Sequence, residues 1–220
     1  MRRAVLTLLV VTAATTTRGA RADVVELPSG RDPVPLVVVL HGDREHAPAA
    51  AARWRAATHR RGWALLALEC PHDLGCTDSF WKWDGEPSWV FERVAALAKR
   101  RAIDLARVYL VGWSGGASYI GWRAPAWSAH FAAVVLHGGG IPPDRPDVAD
   151  CPNPGLPAYF LVGNKNPLHD LARELRAYFE RCRQDVTWDL IEGADHAREE
   201  TALTATKANA ILDWLAERHR

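Results

Sequence analysis

The stretch Val108-Tyr109-Leu110-Val111-Gly112-Trp113-Ser114-Gly115-Gly116 decides the reading of the whole chain. Its first four residues are apolar and read as a strand buried on both faces, while residues 115 to about 122 read as a helix. Between the two, the chain must reverse within a few residues. A serine at the apex of such a turn has a strained backbone, and glycines two positions before and after it, Gly112 and Gly116, keep side chains from colliding. Its oxygen is then held clear of the sheet at a helix N-terminus, where free N–H groups and the helix dipole favour negative charge. The pattern Gly-x-Ser-x-Gly also arises by chance in glycine-rich turns. The strand before it and the helix after it are what give it chemical meaning.

The same alternation runs outward from this turn. Residues 36–40, 63–69, 131–136, 158–162 and 186–191 read as strands, and residues 47–61, 88–102, 168–182 and 199–218 read as helices. Leu171, Leu175 and Tyr178-Phe179 recur at helical spacing. Strands separated by helices need crossover connections, which predicts a mainly parallel sheet covered on both faces: a three-layer α/β sandwich forming one domain over residues 23–220. Ligands on such sheets bind beyond the carboxyl ends of the strands. Chemistry is therefore expected just after Leu40, Glu69, Val111, Leu136, Val162 and Ile191.

Composition narrows the function classes. The chain has 220 residues, 48% hydrophobic and 24% charged, which suits a packed domain and is too apolar for disorder. Its formal net charge of +1 offers no general electrostatic reason to bind nucleic acid or anionic lipid. No apolar run approaches the ~18 residues of a membrane span. Met1-Arg2-Arg3, an apolar run over 4–14 and Ala20-Arg21-Ala22 follow the grammar of a secretory signal, which predicts a signal peptide over 1–22 and a secreted or periplasmic product. Its removal takes away Arg2, Arg3, Arg18 and Arg21 and leaves a negative mature chain. In an oxidising compartment the even set Cys70, Cys76, Cys151 and Cys182 reads as two disulfides. Of three connectivities, Cys70–Cys76 with Cys151–Cys182 is preferred because each bond ties neighbouring segments; buried free thiols are the alternative. The lack of a Cys-x-x-Cys pair and the scatter of the histidines speak against zinc.

Three strand ends carry candidate chemistry. Ser114 is the candidate nucleophile. A serine is a poor nucleophile at neutral pH and needs a base within hydrogen-bond reach. His196 follows the last strand and precedes the last predicted helix, which gives the chain order serine, acid, histidine that goes with this kind of turn. An oxyanion needs two backbone donors. One is expected from Gly115, the residue after the serine, and the other from Asp43 in the loop His41-Gly42-Asp43 after the first apolar strand. The His41 side chain is read as bracing that loop.

The segment from Ile103 to Gly116 resembles the elbow region of small secreted esterases of the α/β-hydrolase superfamily, among them polyhydroxybutyrate depolymerase-like, feruloyl esterase-like and carboxylesterase/phospholipase proteins. The resemblance extends over residues 36–220. It implies an eight-stranded sheet, of which six strands are evident, so that the first hairpin is reduced or hidden in residues 24–27. It also implies a triad acid in a Gly-x-x-Asp pattern after the strand at 158–162. Here the sequence reads Gly163-Asn164-Lys165-Asn166. An asparagine can accept a hydrogen bond from imidazole but cannot stabilise imidazolium by charge; in serine proteases that exchange lowers kcat by about 10⁴. Asp170, in the first turn of the next predicted helix, is assigned as the orienting acid, with Asn166 and Asp144 as alternatives and a plain helix N-terminal charge as the other reading of Asp170. The run His137-Gly138-Gly139-Gly140 imitates a lipase oxyanion loop but follows the nucleophile in sequence, and is read as a small-residue rim beside the pocket. Trp113, Trp81 and Trp83 are expected to line a pocket for an aromatic or bulky acyl group.

The reading is an exported serine hydrolase that cleaves a small-molecule or polymeric carboxylic ester through an acyl-enzyme, with no cofactor and no metal. The alternatives are an amidase, thioesterase or acyltransferase built on the same turn, or a degenerate hydrolase that only binds a ligand or partner.

Overall fold

Runs such as Val37-Val38-Val39 and Leu65-Leu66-Ala67 form strands because both of their faces find apolar cover, so neither side needs polar residues. In the computed structural model, which describes residues 22–77, 79–81 and 85–220, the elements are β1 (Val24–Glu26), β2 (Val34–Leu40), α1 (Ala47–Arg60), β3 (Ala64–Leu68), α2 (Ser88–Ala98), β4 (Ile103–Trp113), α3 (Gly115–Trp122), the short α4 (Ala124–Trp127), β5 (Ala133–His137), β6 (Ala158–Gly163), α5 (His169–Arg181), β7 (Val186–Ile191), α6 (His196–Ala202) and α7 (Ala205–Ala216). Among the described residues the strands form one sheet in the order β1-β3-β2-β4-β5-β6-β7. Every neighbouring pair is parallel except β1 with β3. The expected three-layer sandwich is therefore present, and the strand sought in residues 24–27 is β1.

Alternate side chains go to opposite layers. Val37, Val39, Tyr109, Val111 and Leu161 pack beneath Trp54 of α1 and Ile211 and Leu215 of α7. Leu36, Val38, Leu110, Leu136 and Phe160 pack against the other face, with Val90 of α2, Ile120 of α3 and Leu175 of α5. Burying each such side chain contributes about 1.5–3 kcal/mol. After β2 the chain first crosses to β3 and then returns to the far side of β2 for β4, after which it proceeds through β5, β6 and β7. The carboxyl ends of β2 and β4 thus flank the point where the winding reverses, the place where sheets of this kind bind ligands.

Three boundaries differ from expectation. Helix α2 stops at Ala98 instead of 102, and β4 begins at Ile103 instead of 108. The polar segment Asp104–Arg107 conceals this early start: the register shifts there, and Asp104 accepts hydrogen bonds from Ala106 N (2.9 Å) and Arg107 Nε (2.6 Å). The single terminal helix is really two, because Thr204 caps α7 by accepting from Lys207 N at 3.2 Å. Both preferred disulfides, Cys70–Cys76 and Cys151–Cys182, are present. Among the described residues no helix is long and apolar enough to cross a membrane. Residues 1–21 of the expected signal peptide, and Trp83, lie outside the described residues.

Candidate active site

Strand β4 ends at Trp113 and α3 begins at Gly115, so Ser114 alone makes the turn. It adopts φ 51° and ψ −112°, a strained conformation for a residue with a side chain. Its N–H donates to His137 O at 2.9 Å and its carbonyl accepts from Ser118 N at 3.0 Å, so both sides of the strained residue are anchored. The flanking glycines are needed for space. A Cβ on Gly112 would meet Ala117 N at 2.5 Å, and one on Gly116 would meet His41 O at 2.6 Å.

His196 comes to this serine from the other end of the chain. Strand β7 ends at Ile191, and Asp195 caps α6 by accepting from Arg198 N at 3.0 Å, which makes His196 the first residue of the helix. Its Nε2 lies 2.9 Å from Ser114 Oγ. On the opposite side of the ring, Nδ1 lies 2.9 Å from Glu199 Oε2. Glu199 stands one helical turn beyond His196 on the same face and is 0% exposed. A buried carboxylate has to be satisfied by donors. Gly163 N–H donates to Oε1, while the Asn166 amide and the His196 ring approach Oε2. The Glu199 backbone carbonyl accepts from His137 Nε2 at 2.7 Å. Burial pushes the His137 pKa down to about 4, so this ring is a neutral brace.

Asp170 does not reach His196. Its side chain is 88% exposed, pairs with Arg173 at 3.7 Å and opens on a groove between α5 and β7. The expectation of Asp170 as orienter is therefore corrected: as the first acidic residue of α5 it serves the helix N-terminus. Asp144 is turned to Trp122 Nε1 at 3.4 Å. Asn166 does lie beside the imidazole, with Nδ2 3.2 Å from Nδ1. The residue missed by sequence reasoning is Glu199. The signal for it was Asp195 as an N-cap, which starts the helix at 196 and puts 199 on the histidine's face; a helix started at 199 hides that relation.

The loop that carries Asp43 lies directly against the start of α3 at Gly115. The Asp43 carboxylate packs so closely on Gly115 that any side chain at 115 would run into it. Among the described residues no acceptor pairs with the N–H of Asp43 or of Gly115. Burial holds the Asp43 carboxyl above its usual range, against the opposing effect of Trp81 N–H, which donates to Oδ1 at 3.2 Å. His41 is fully buried and braces the loop as expected: Nδ1–H donates to Gly42 O at 2.7 Å, and Nε2 accepts from Cys70 N at 3.1 Å.

The tryptophans and the glycine run are placed differently from expectation. Trp113 is 6% exposed and lies flat under His196, with ring centroids 4.7 Å apart and planes 2° from parallel. Trp81 is 4% exposed, donates from Nε1 to His41 O at 2.6 Å and stacks on Tyr119. Trp113 supports the His196 ring, and Trp81 holds the loop after β2 while lining a small cavity with Cys70, Cys76, Trp89 and Tyr119. Residues 137–140 are buried beneath the turn, not on a rim; Gly138 N–H is taken by Leu161 O at 2.9 Å, and a Cβ on Gly139 would meet Ser114 O at 2.8 Å. Among the described residues no group of three or more His, Cys, Asp or Glu side chains is arranged to hold a metal ion.

A hydroxyl, an imidazole and a buried carboxylate in hydrogen-bonded sequence, at a helix N-terminus, can deprotonate the hydroxyl and support the cation that forms. The profile of a family described as "Esterase PHB depolymerase" matches residues 22–145. Among solved structures, a thermostable esterase matches at a TM-score of 0.67 and 20% identity, over 90% of this chain and 59% of its own. The chain thus spans under two thirds of that structure's length. A carboxylesterase from Bacillus cereus matches at 0.66 and 16%, over 91% of this chain and 95% of its own. A ferulic acid esterase matches at 0.67 and 14%, over 88% of this chain and 90% of its own. None of the curated proteins matches this chain.

Proposed function

The chain belongs to the Esterase PHB depolymerase family and has the α/β-hydrolase fold, and on that premise we propose that it is an exported serine hydrolase that cleaves carboxylic esters, small or polymeric, through an acyl-enzyme on Ser114. The observation that carries the reading is the continuous relay Ser114 Oγ–His196 Nε2, 2.9 Å, and His196 Nδ1–Glu199 Oε2, 2.9 Å, mounted on a strained strand-to-helix turn. An intact relay with a buried acid favours an enzyme over a degenerate binding module. The two disulfides agree with an oxidising compartment.

Ser114 Oγ attacks the ester carbonyl carbon as its proton passes to His196 Nε2. Glu199 supports the imidazolium by charge and holds the ring through Nδ1–H. The carbonyl oxygen, now negative, is received by the N–H groups of Gly115 and Asp43, where the loss of one such donor typically costs about 10²–10³ in kcat. His196 then protonates the departing alkoxide. Water attacks the acyl-enzyme with His196 as base, and the carboxylic acid leaves as Ser114 regains its proton.

The test is a fluorophosphonate probe applied to the folded, oxidised protein, with hydrolysis of p-nitrophenyl acetate followed in parallel. The expected result is one adduct on the Ser114 peptide, and Ser114→Ala abolishing both adduct and turnover. An unlabelled Ser114 in a folded chain without turnover overturns the reading. Amide and thioester analogues assayed beside the ester separate esterase from amidase and thioesterase.

A further inference from the structure

We propose that Asn166, in the turn after β6, is a positioning residue whose amide clamps Glu199 against the edge of the His196 ring. The inference rests on the relay reading above.

Two positions reach the same edge of His196. Asn166 sits three residues beyond the end of β6 and is 6% exposed, with Nδ2 3.2 Å from His196 Nδ1. Glu199 reaches the same nitrogen from α6 at 2.9 Å. Only one of them can receive its proton, and the surrounding bonds determine which. Asn166 Oδ1 accepts from Leu168 N at 2.8 Å, while Nδ2 faces Gly138 O at 3.1 Å and Glu199 Oε2 at 2.5 Å. Turning the amide over would set its oxygen against a carbonyl and a carboxylate and its NH2 against an N–H, so the network fixes the orientation. A donor therefore faces Nδ1 from position 166. The imidazole proton goes to Glu199, and the Asn166 amide holds the same oxygen, Oε2, in line with the ring. The glutamate's extra methylene, against an aspartate, spans the distance from the helix. Because positions 166 and 199 converge on one nitrogen, an acid at 166 with an amide at 199 returns a negative charge to the same edge of the ring, although it sets a carboxylate oxygen against Gly138 O, which limits the rescue.

The experiment compares Glu199→Gln, Asn166→Ala and the double exchange Asn166→Asp/Glu199→Gln, using p-nitrophenyl acetate kinetics, thermal melting and the far-downfield proton resonance of the His196 Nδ1–H. Glu199→Gln is expected to lower kcat by about 10³–10⁴-fold and to remove the resonance. The double exchange is expected to restore at least about tenfold of that loss, by returning a negative charge to the Nδ1 edge of the ring, and to bring the resonance back. Asn166→Ala is expected to lower kcat about tenfold with KM within about twofold, since it loosens the acid without touching substrate. A purely structural asparagine would leave kcat and the resonance unchanged in Asn166→Ala. The proposal is overturned by a double variant no faster than Glu199→Gln whose melting temperature stays within about 5 °C of the parent, or by an Asn166→Ala protein with unchanged kcat and resonance; the latter comparison decides alone if the double variant does not fold. A parent chain that is active and labelled at Ser114 confines such a failure to this proposal, whereas an inactive, unlabelled parent overturns the relay reading and this proposal together.

Discussion

Trp113 meets both a cation and the imidazole of His196. Arg53 stands over one face of the indole at 5.4 Å, and His196 lies parallel on the ring at 4.7 Å. The Arg53 guanidinium is held by Glu45 through two bonds of 2.8 and 2.6 Å, and Glu45 Oε2 also accepts from Gly42 N at 3.1 Å. Burial pushes the Glu45 carboxyl up, but the bonds and charge of Arg53 outweigh it and leave the group below its usual range. A chain of contacts thus runs from the loop after β2 through Arg53 and Trp113 to His196. Since a ring held flat loses the freedom to tilt away from Ser114, Trp113→Leu should lower kcat about tenfold with little change in KM, and Trp113→Phe should retain most of the activity; steady-state kinetics with a p-nitrophenyl ester checks both. At this scale the serine turn was legible because its demands are local: one strained residue and two glycines in five positions. The tryptophan's role was not, because a sequence does not say which face of an indole is covered.

At the scale of elements, α6 is the part that assembles the site. It is seven residues long and carries both His196 and Glu199, so any fraying of its first turn moves the imidazole and the carboxylate together. Asp195 holds that turn through its bond to Arg198 N at 3.0 Å. Replacing an N-cap aspartate by alanine typically costs ~1 kcal/mol. Asp195→Ala should therefore lower the melting temperature by about 2–4 °C, on the scale of a domain this size, and also lower kcat several-fold while KM stays. Calorimetry read beside kinetics tests the coupling; a melting shift with unchanged kcat would detach the cap from the site. The strand–helix alternation that defines the other elements was readable from apolar periodicity. The break between α6 and α7 was not given weight, because apolar residues on both sides of Thr204 share one helical period and mask the second cap.

Over the whole molecule, the winding reversal between β2 and β4 brings the Asp43 loop beside the Ser114 turn, and the return through β5, β6 and β7 brings His196 onto the serine. The Cys151–Cys182 bond ties the long connection after β5 to the end of α5, where the crossover helix has run back to the edge of the sheet away from Ser114. Its sequence separation is 31 residues. Closing a loop of that length stabilises by about 3–4 kcal/mol on the chain-entropy account. A Cys151→Ser/Cys182→Ser protein should lose about that much in urea unfolding while keeping its kcat at temperatures where it is folded.

What the amino-acid sequence made legible by itself was the parallel sheet, the serine turn, the histidine that lies beside it and a preference for the cysteine pairing that is found. Each follows from periodicity, from turn geometry or from residues close along the chain. Tertiary structure alone decided which carboxylate meets the imidazole. Asp170, Asn166 and Glu199 all lie within reach of the right strand ends, and the outcome turns on where α6 begins and which side chain is buried there. A buried charge is tolerated only where donors surround it. Gly163, Asn166 and His196 supply those donors to Glu199, while Asp170 remains in water.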